Sequence, residues 1–245
     1  MNPKYDKIGI NYTNNRATDP RIAQQLYAAL EGASRILNIG AGTGSYEPTN
    51  VDLIGIEPSS EMIAQRESGA HPVIQAQAEK LPFEDKSFSH SMAILSIHHW
   101  EDRAQAFREV KRVTRDKFVA ISWDAGAGPF WLTRDYFPEF FKMDAAHFPN
   151  LDELGMYFEE VKMLPIPIPE DCQDGFLAAY WKRPEAYLDP KIRLSISSFS
   201  KIADAQPGLD KLKNDLASGL WEQKNAAMLD KTSIDAGYRL IIAKI

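Results

Sequence analysis

Short apolar runs and helical stripes alternate along most of this chain. Runs at 35–39, 51–56, 72–76, 90–96 and 117–123 read as strands. Between them, Ser59/Ser60 to Ser68 reads as a capped helix with Met62 and Ile63 inward, and Arg103–Val113 sets Ala104, Phe107, Val110 and Val113 at helical spacing. Strands that alternate with helices predict a mainly parallel sheet. The first 33 residues read as a cap: Asp19-Pro20 starts a helix with proline at its first position, and Ile22, Leu26 and Leu30 mark its apolar face. The link between the first two strands is too short for a full crossover helix, so a single turn or stunted helix is expected.

The alternation breaks at 129–160, where nine aromatic residues crowd together. The segment follows a strand that ends at Trp123-Asp124. Its position favours a lid or substrate insertion over a pocket; a helical pair packed on the core is the other reading. Val161–Pro169 begins as a strand whose prolines end any central pairing. Residues 190–203 carry Ile192, Ile196, Phe199 and Ile202 on one helical face, 209–220 carry Leu209, Leu212, Leu216 and Leu220, and Tyr238–Ile245 reads as a last strand. No internal repeat is present, so 1–245 is expected to form a single domain.

Composition narrows the function classes. A net charge of −6 argues against broad binding to nucleic acid or an anionic membrane and leaves a small-molecule substrate, which the aromatic insertion leads one to expect to be apolar or aromatic. No apolar run has the length of a membrane span, and the N-terminal residues lack a signal-peptide core, so a cytoplasmic protein is expected. A single cysteine, Cys172, excludes an internal disulfide and a multi-cysteine metal cluster.

The chemistry concentrates in Arg35–Ser45, an apolar strand that runs into Gly-Ala-Gly-Thr-Gly, and in Glu57, which ends the next apolar run. Glycine lets a ligand approach bare backbone, and a carboxylate at a strand end can accept from two ribose hydroxyls. The spacing of Gly40, Gly42 and Gly44 is G-x-G-x-G, with Ser45 where a dinucleotide fingerprint has its third glycine. Tyr46-Glu47-Pro48 then sets a negative charge and a helix breaker where a pyrophosphate-binding helix would begin. S-adenosylmethionine (SAM), a nucleoside with a cationic sulfonium and no phosphate, suits this loop better than NAD(P).

Asn38–Gly44, Gly55–Ser59 with Met62, Ala78–Phe83, Ser96–Trp100 and the helix Phe107–Val113 together resemble the class I SAM-dependent methyltransferases, type 11 family, over roughly residues 1–124 and the last strand. The resemblance implies a Rossmann-like α/β fold: a seven-stranded sheet of order 3-2-1-4-5-7-6, strand seven antiparallel, helices on both faces. It also implies that Asn38, Gly40, Ala41, Gly42 and Gly44 pass under the methionine and ribose. Glu57 would bind the ribose hydroxyls, Pro58 would flank the adenine with Met62 nearby, Gln77, Ala78 and Glu79 would form the adenine edge, and Ser96 would lie beside the methionine. Arg16 would pair with the SAM carboxylate, or is an ordinary surface arginine. Two departures stand out: Gln77 where the family commonly has Asp, and Ser89 where an Asp usually follows the Phe.

Methyl transfer from a sulfonium needs positioning and water exclusion, and a general base only when the acceptor arrives protonated. His98 and His99 are the candidate catalytic residues, with a structural His-His-Trp turn as the alternative. No carboxylate or cysteine pattern completes a metal set around them, so none is expected. Asp124 and His147 are weaker candidates; Asp174-Gly175 reads as a turn, and Cys172 has no activating context. The rival functions are a non-catalytic SAM-binding regulator of the same fold and, further off, an NAD(P)-dependent oxidoreductase.

Overall fold

The computed structural model describes residues 17–245. Asp19 caps α1 (Pro20–Ala29) by accepting from the Arg21 N–H, and Ile22, Ala23 and Leu26 are its buried face. The chain then alternates through β1 (Ile36–Ile39), β2 (Leu53–Ile56), α2 (Ser60–Ala64), β3 (Val73–Ile74), β4 (Phe88–Ile94), α3 (Arg103–Val113) and β5 (Thr114–Trp123). It continues through α4 (Trp131–Asp135), α5 (Pro138–His147), β6 (Glu160–Pro169), α6 (Pro190–Leu194), α7 (Gln206–Ala217), α8 (Leu220–Leu229) and β7 (Ser233–Lys244). The sheet has seven strands in the order β3-β2-β1-β4-β5-β7-β6. β1 to β5 pair in parallel, and β7 runs antiparallel to β5 and β6. This is the Rossmann-like α/β arrangement that the resemblance implied.

Alternation along the strands sends side chains to two separate cores, one per face. In β5, Val119 and Ile121 join α1 and the aromatics after β5, while Phe118 and Ala120 pack with Phe107 and Val110 of α3.

Several elements differ from the sequence expectation. The link between β1 and β2 is not one of them: it crosses in turns, as its shortness implied. The helix after Ser59 stops at Ala64, and β3 is only two residues long. β6 runs through Pro165, Pro167 and Pro169 because it is an edge strand, where a missing N–H need cost no ladder bond, and a register shift separates Pro165 from Pro167. The 190–203 stripe is not one helix: α6 ends at Leu194 and a 3₁₀ turn, Ser197–Lys201, follows. The leucine stripe at 209–220 is cut at Gly219, whose φ of +73° ends α7 and opens α8. No helix among the described residues is long and apolar enough to cross a membrane.

Candidate active site

The carboxyl ends of β1, β2 and β4 meet at one cleft. After β1 the chain turns through Gly40 at φ +75°, where a Cβ would come within 2.5 Å of the Ser96 Cβ. The N–H groups of Gly40 and Ala41 both donate to the Ile56 carbonyl, at 2.9 and 2.8 Å, which lashes the glycine loop to β2. From the end of β4, the Ser96 hydroxyl donates to the Ile39 carbonyl at 2.7 Å. Backbone and one hydroxyl therefore fix the floor.

Glu57 follows β2 directly and is 7% exposed. One of its oxygens accepts from the Gly42 N–H at 2.9 Å and the other from the Ser59 N–H at 3.0 Å. Desolvation holds its pKa above the usual carboxylate value, outweighing those two donors and the field of Arg66. A carboxylate has about four acceptor sites, so each oxygen keeps capacity for a further donor such as a vicinal hydroxyl.

The predicted cofactor residues gather here. Asn38, Gly40, Ala41 and Gly42 line the cleft from the first loop, and Glu57, Pro58 and Met62 from the second. Gln77, Ala78 and Glu79 line it from the loop after β3, and Ser96 from the end of β4. Glu79 also accepts from the Glu101 and Asp102 N–H groups at 2.7 and 3.2 Å, which ties the third loop to the start of α3. Arg16 lies outside the described residues. Gly44 is set back from the cleft, where a Cβ would lie 3.2 Å from both Arg66 Nη1 and Glu47 Oε2.

That ion pair corrects the reading of Glu47 as a charge facing the ligand. Glu47 is turned inward onto Arg66 at 2.7 Å, with both side chains 5% exposed. Asn38 Nδ2 donates to Glu47 at 2.9 Å, and Arg66 donates to the Gly42 carbonyl at 3.2 Å and the His71 carbonyl at 3.1 Å. A buried network thus underpins the loop where a dinucleotide fold would start a helix. Sequence reasoning missed it, because the partners are nineteen residues apart and share no motif. It also missed Thr43, Leu95, Trp100 and Glu101 in the lining.

The charge of the lining decides between cofactors. Glu57, Glu79 and Glu101 face the cleft, and its lining among the described residues includes no lysine or arginine. A pyrophosphate would meet three acidic residues and, among the described residues, no cation. A nucleoside with a cationic sulfonium meets a hydroxyl acceptor and a favourable field. The residues present fit SAM.

Comparison with known proteins agrees. The family model of a methyltransferase domain matches residues 37–120. A solved structure from Anabaena variabilis, described provisionally as a methyltransferase from an antibiotic biosynthesis pathway, is 33% identical, with a TM-score of 0.87 over 95% of this chain and 100% of that one. The chain belongs to the class I SAM-dependent methyltransferase family. Among curated relatives, the uncharacterised methyltransferase YcgJ of Bacillus subtilis is 34% identical over 43% of this chain and 42% of its own. The ubiquinone/menaquinone biosynthesis C-methyltransferase UbiE of a Geobacter strain is 32% identical over 35% of this chain and 43% of its own. The chain therefore spans under half the length of these curated relatives.

Within this family fold the two histidines separate. His99 lines the cleft. His98 is buried instead, its ring stacked on Phe148 at 4.0 Å, and burial drives its pKa well below the usual histidine value, so it stays neutral. His147 joins the pair, 5.6 Å from His98 and 5.9 Å from His99 between ring centroids. Asp124 caps the turn after β5 by accepting from Gly126 N–H at 2.8 Å. Cys172 is buried and its thiol is pushed up to about 12, a non-nucleophilic state. Asp174 accepts from the Gly175 N–H at 2.7 Å and from the Tyr46 hydroxyl at 2.9 Å. Ser89 acquires a reason: its hydroxyl accepts from the Ser34 and Arg35 N–H groups and donates to the Arg35 carbonyl, which clips the entry to β1.

The 129–160 segment has no residue in the cleft lining. Trp131, Tyr136, Phe137 and Phe140 belong to one core and Phe158 to the other, while Phe148 stacks on His98 behind the cleft and His147 approaches His99 of its lining.

Proposed function

We propose that this protein transfers a methyl group from SAM to a small-molecule acceptor. One observation carries the reading: a phosphate-hostile, three-carboxylate cleft around a glycine loop, with Glu57 buried at the strand end as a hydroxyl acceptor. Bound SAM supplies a methyl group already activated by its sulfonium. The chain's own work is then placement. Glu57 holds the ribose hydroxyls, Gln77 and Ala78 address the adenine edge, and Gly40, Gly42 and Ser96 leave room for the methionine portion. Trp100 and Leu95, both in the lining, keep water from the reacting carbon. Where the acceptor arrives protonated, His99 is the residue placed to take the proton.

The 129–160 segment serves in this reading as the acceptor-side backing behind the cleft lining. Calorimetric titration with SAM, S-adenosylhomocysteine and NADH tests the cofactor. Binding of the first two and not the third is expected; binding of NADH alone overturns the reading. Conversion of SAM to S-adenosylhomocysteine with any acceptor separates an enzyme from a regulator of the same fold.

A further inference from the structure

A second, smaller cavity opens where the end of β5, the start of β7 and α5 meet. Trp123, Phe130, Phe141, Phe148 and Tyr238 form much of its wall, and Asp144 is the one carboxylate in the lining among the described residues. Trp123 meets Phe141 edge-on at 5.6 Å and Phe148 at 5.5 Å, and its indole N–H is fixed on the Ala236 carbonyl at 2.9 Å. Burial pushes the Asp144 carboxyl up to about 6, even against the opposing charge of Lys201.

This cavity neighbours the cleft, with walls only one residue layer apart. Tyr238 also borders a narrow space whose wall includes Tyr46, Ile94 and Leu95, and these three line the cleft. On the other side, Phe148 stacks on His98, whose ring lies 3.7 Å from that of His99.

We propose that the cavity anchors the acceptor and takes a small alkylammonium group. This deepens, and rests on, the methyl-transfer reading. Aromatic faces attract a cation, and a desolvated carboxylate needs one. A hydrocarbon would leave the half-buried Asp144 with Lys201 as its charge partner and no direct donor, an anion would be repelled, and a neutral alcohol offers a single donor. The volume of about 30 Å³ admits a head group and not a whole acceptor. The ammonium group is thus the recognition handle, and the atom that receives the methyl lies farther along the acceptor, toward the cleft.

The test titrates n-propylammonium chloride and n-propanol, at matched ionic strength, into the full chain saturated with S-adenosylhomocysteine, following the Trp123 indole N–H resonance. A saturable shift with the ammonium is expected, with the alcohol about ten-fold weaker or more. Asp144→Asn should erase that difference while binding of S-adenosylhomocysteine by calorimetry is unchanged. Equal affinity for the two probes on the unaltered chain, or no saturable shift with the ammonium, overturns the proposal. So does an ammonium preference that survives in Asp144→Asn. Failure of S-adenosylhomocysteine binding in the unaltered chain would instead overturn the cofactor reading, so the two failures are distinguishable.

Discussion

The two ends of the proposed site are built by different means. At the nucleoside end, positions are set by backbone: two N–H groups on one carbonyl, two more on Glu57, and a glycine that leaves no space for a Cβ. At the aromatic end they are set by side chains from five separate stretches, 123–148 to 236–238. Backbone devices demand particular residues at short spacing. Packed rings demand only apolar bulk, which many sequences supply. The first end is therefore specific and brittle, and the second tolerant.

The largest test of that contrast is Glu47→Ala. It strands Arg66 as a buried charge, and breaking such a pair from one side costs about 3–5 kcal/mol. Because Arg66 also holds the Gly42 carbonyl, affinity for S-adenosylhomocysteine should fall with stability. Urea melts and calorimetry on one variant check both. Loss of stability without loss of affinity would make the network a general fold element and no part of the cleft.

Gly40→Ala comes next. Its new Cβ would overlap Ser96 at 2.5 Å, and overpacking of this kind costs about 1–3 kcal/mol, to which the positive φ adds. Phe141→Leu at the ring end should cost less than about 1.5 kcal/mol, as a volume-tolerant swap. Comparable losses in the two variants, measured as unfolding free energies in urea, would erase the distinction between the ends.

This contrast also explains what was legible in the sequence. The strands β1, β4 and β5, helix α3, the glycine loop and Glu57 were readable because periodicity and spacing act over a few residues. The candidate cofactor residues within the described part, Gly44 apart, line one cleft. The Glu47–Arg66 pair was not readable, because nothing local distinguishes an inward carboxylate from a solvated one. The full length of the proline-bearing β6 was not readable, because edge position is a property of the whole sheet. The split at Gly219 was hidden by a leucine stripe that continues through it. The role of 129–160 was underdetermined for the same reason: nine aromatics announce burial without saying which surface they cover.

The smallest effect, and the most discriminating, is pH dependence. Burial raises the Glu57 pKa, and the folded state therefore favours its protonated form. By linkage, the contribution of this group to stability falls as pH rises from the unfolded pKa through the higher folded one, and is not lost in acid. Ligand binding has the opposite sign, because hydroxyl donors need the ionised carboxylate. Affinity for S-adenosylhomocysteine should thus weaken as pH drops through a midpoint above the ordinary carboxylate value, before any loss of structure traceable to Glu57. Glu57→Gln should bind about ten-fold more weakly at neutral pH, an order of magnitude typical of one charge-assisted hydrogen bond, and its affinity should vary less with acid. Calorimetry of the parent and variant across a pH series reads both curves. A parent curve as flat as the variant's would mean that the hydroxyl acceptor is another residue, and the backbone-built end would lose the side chain that gives it its specificity.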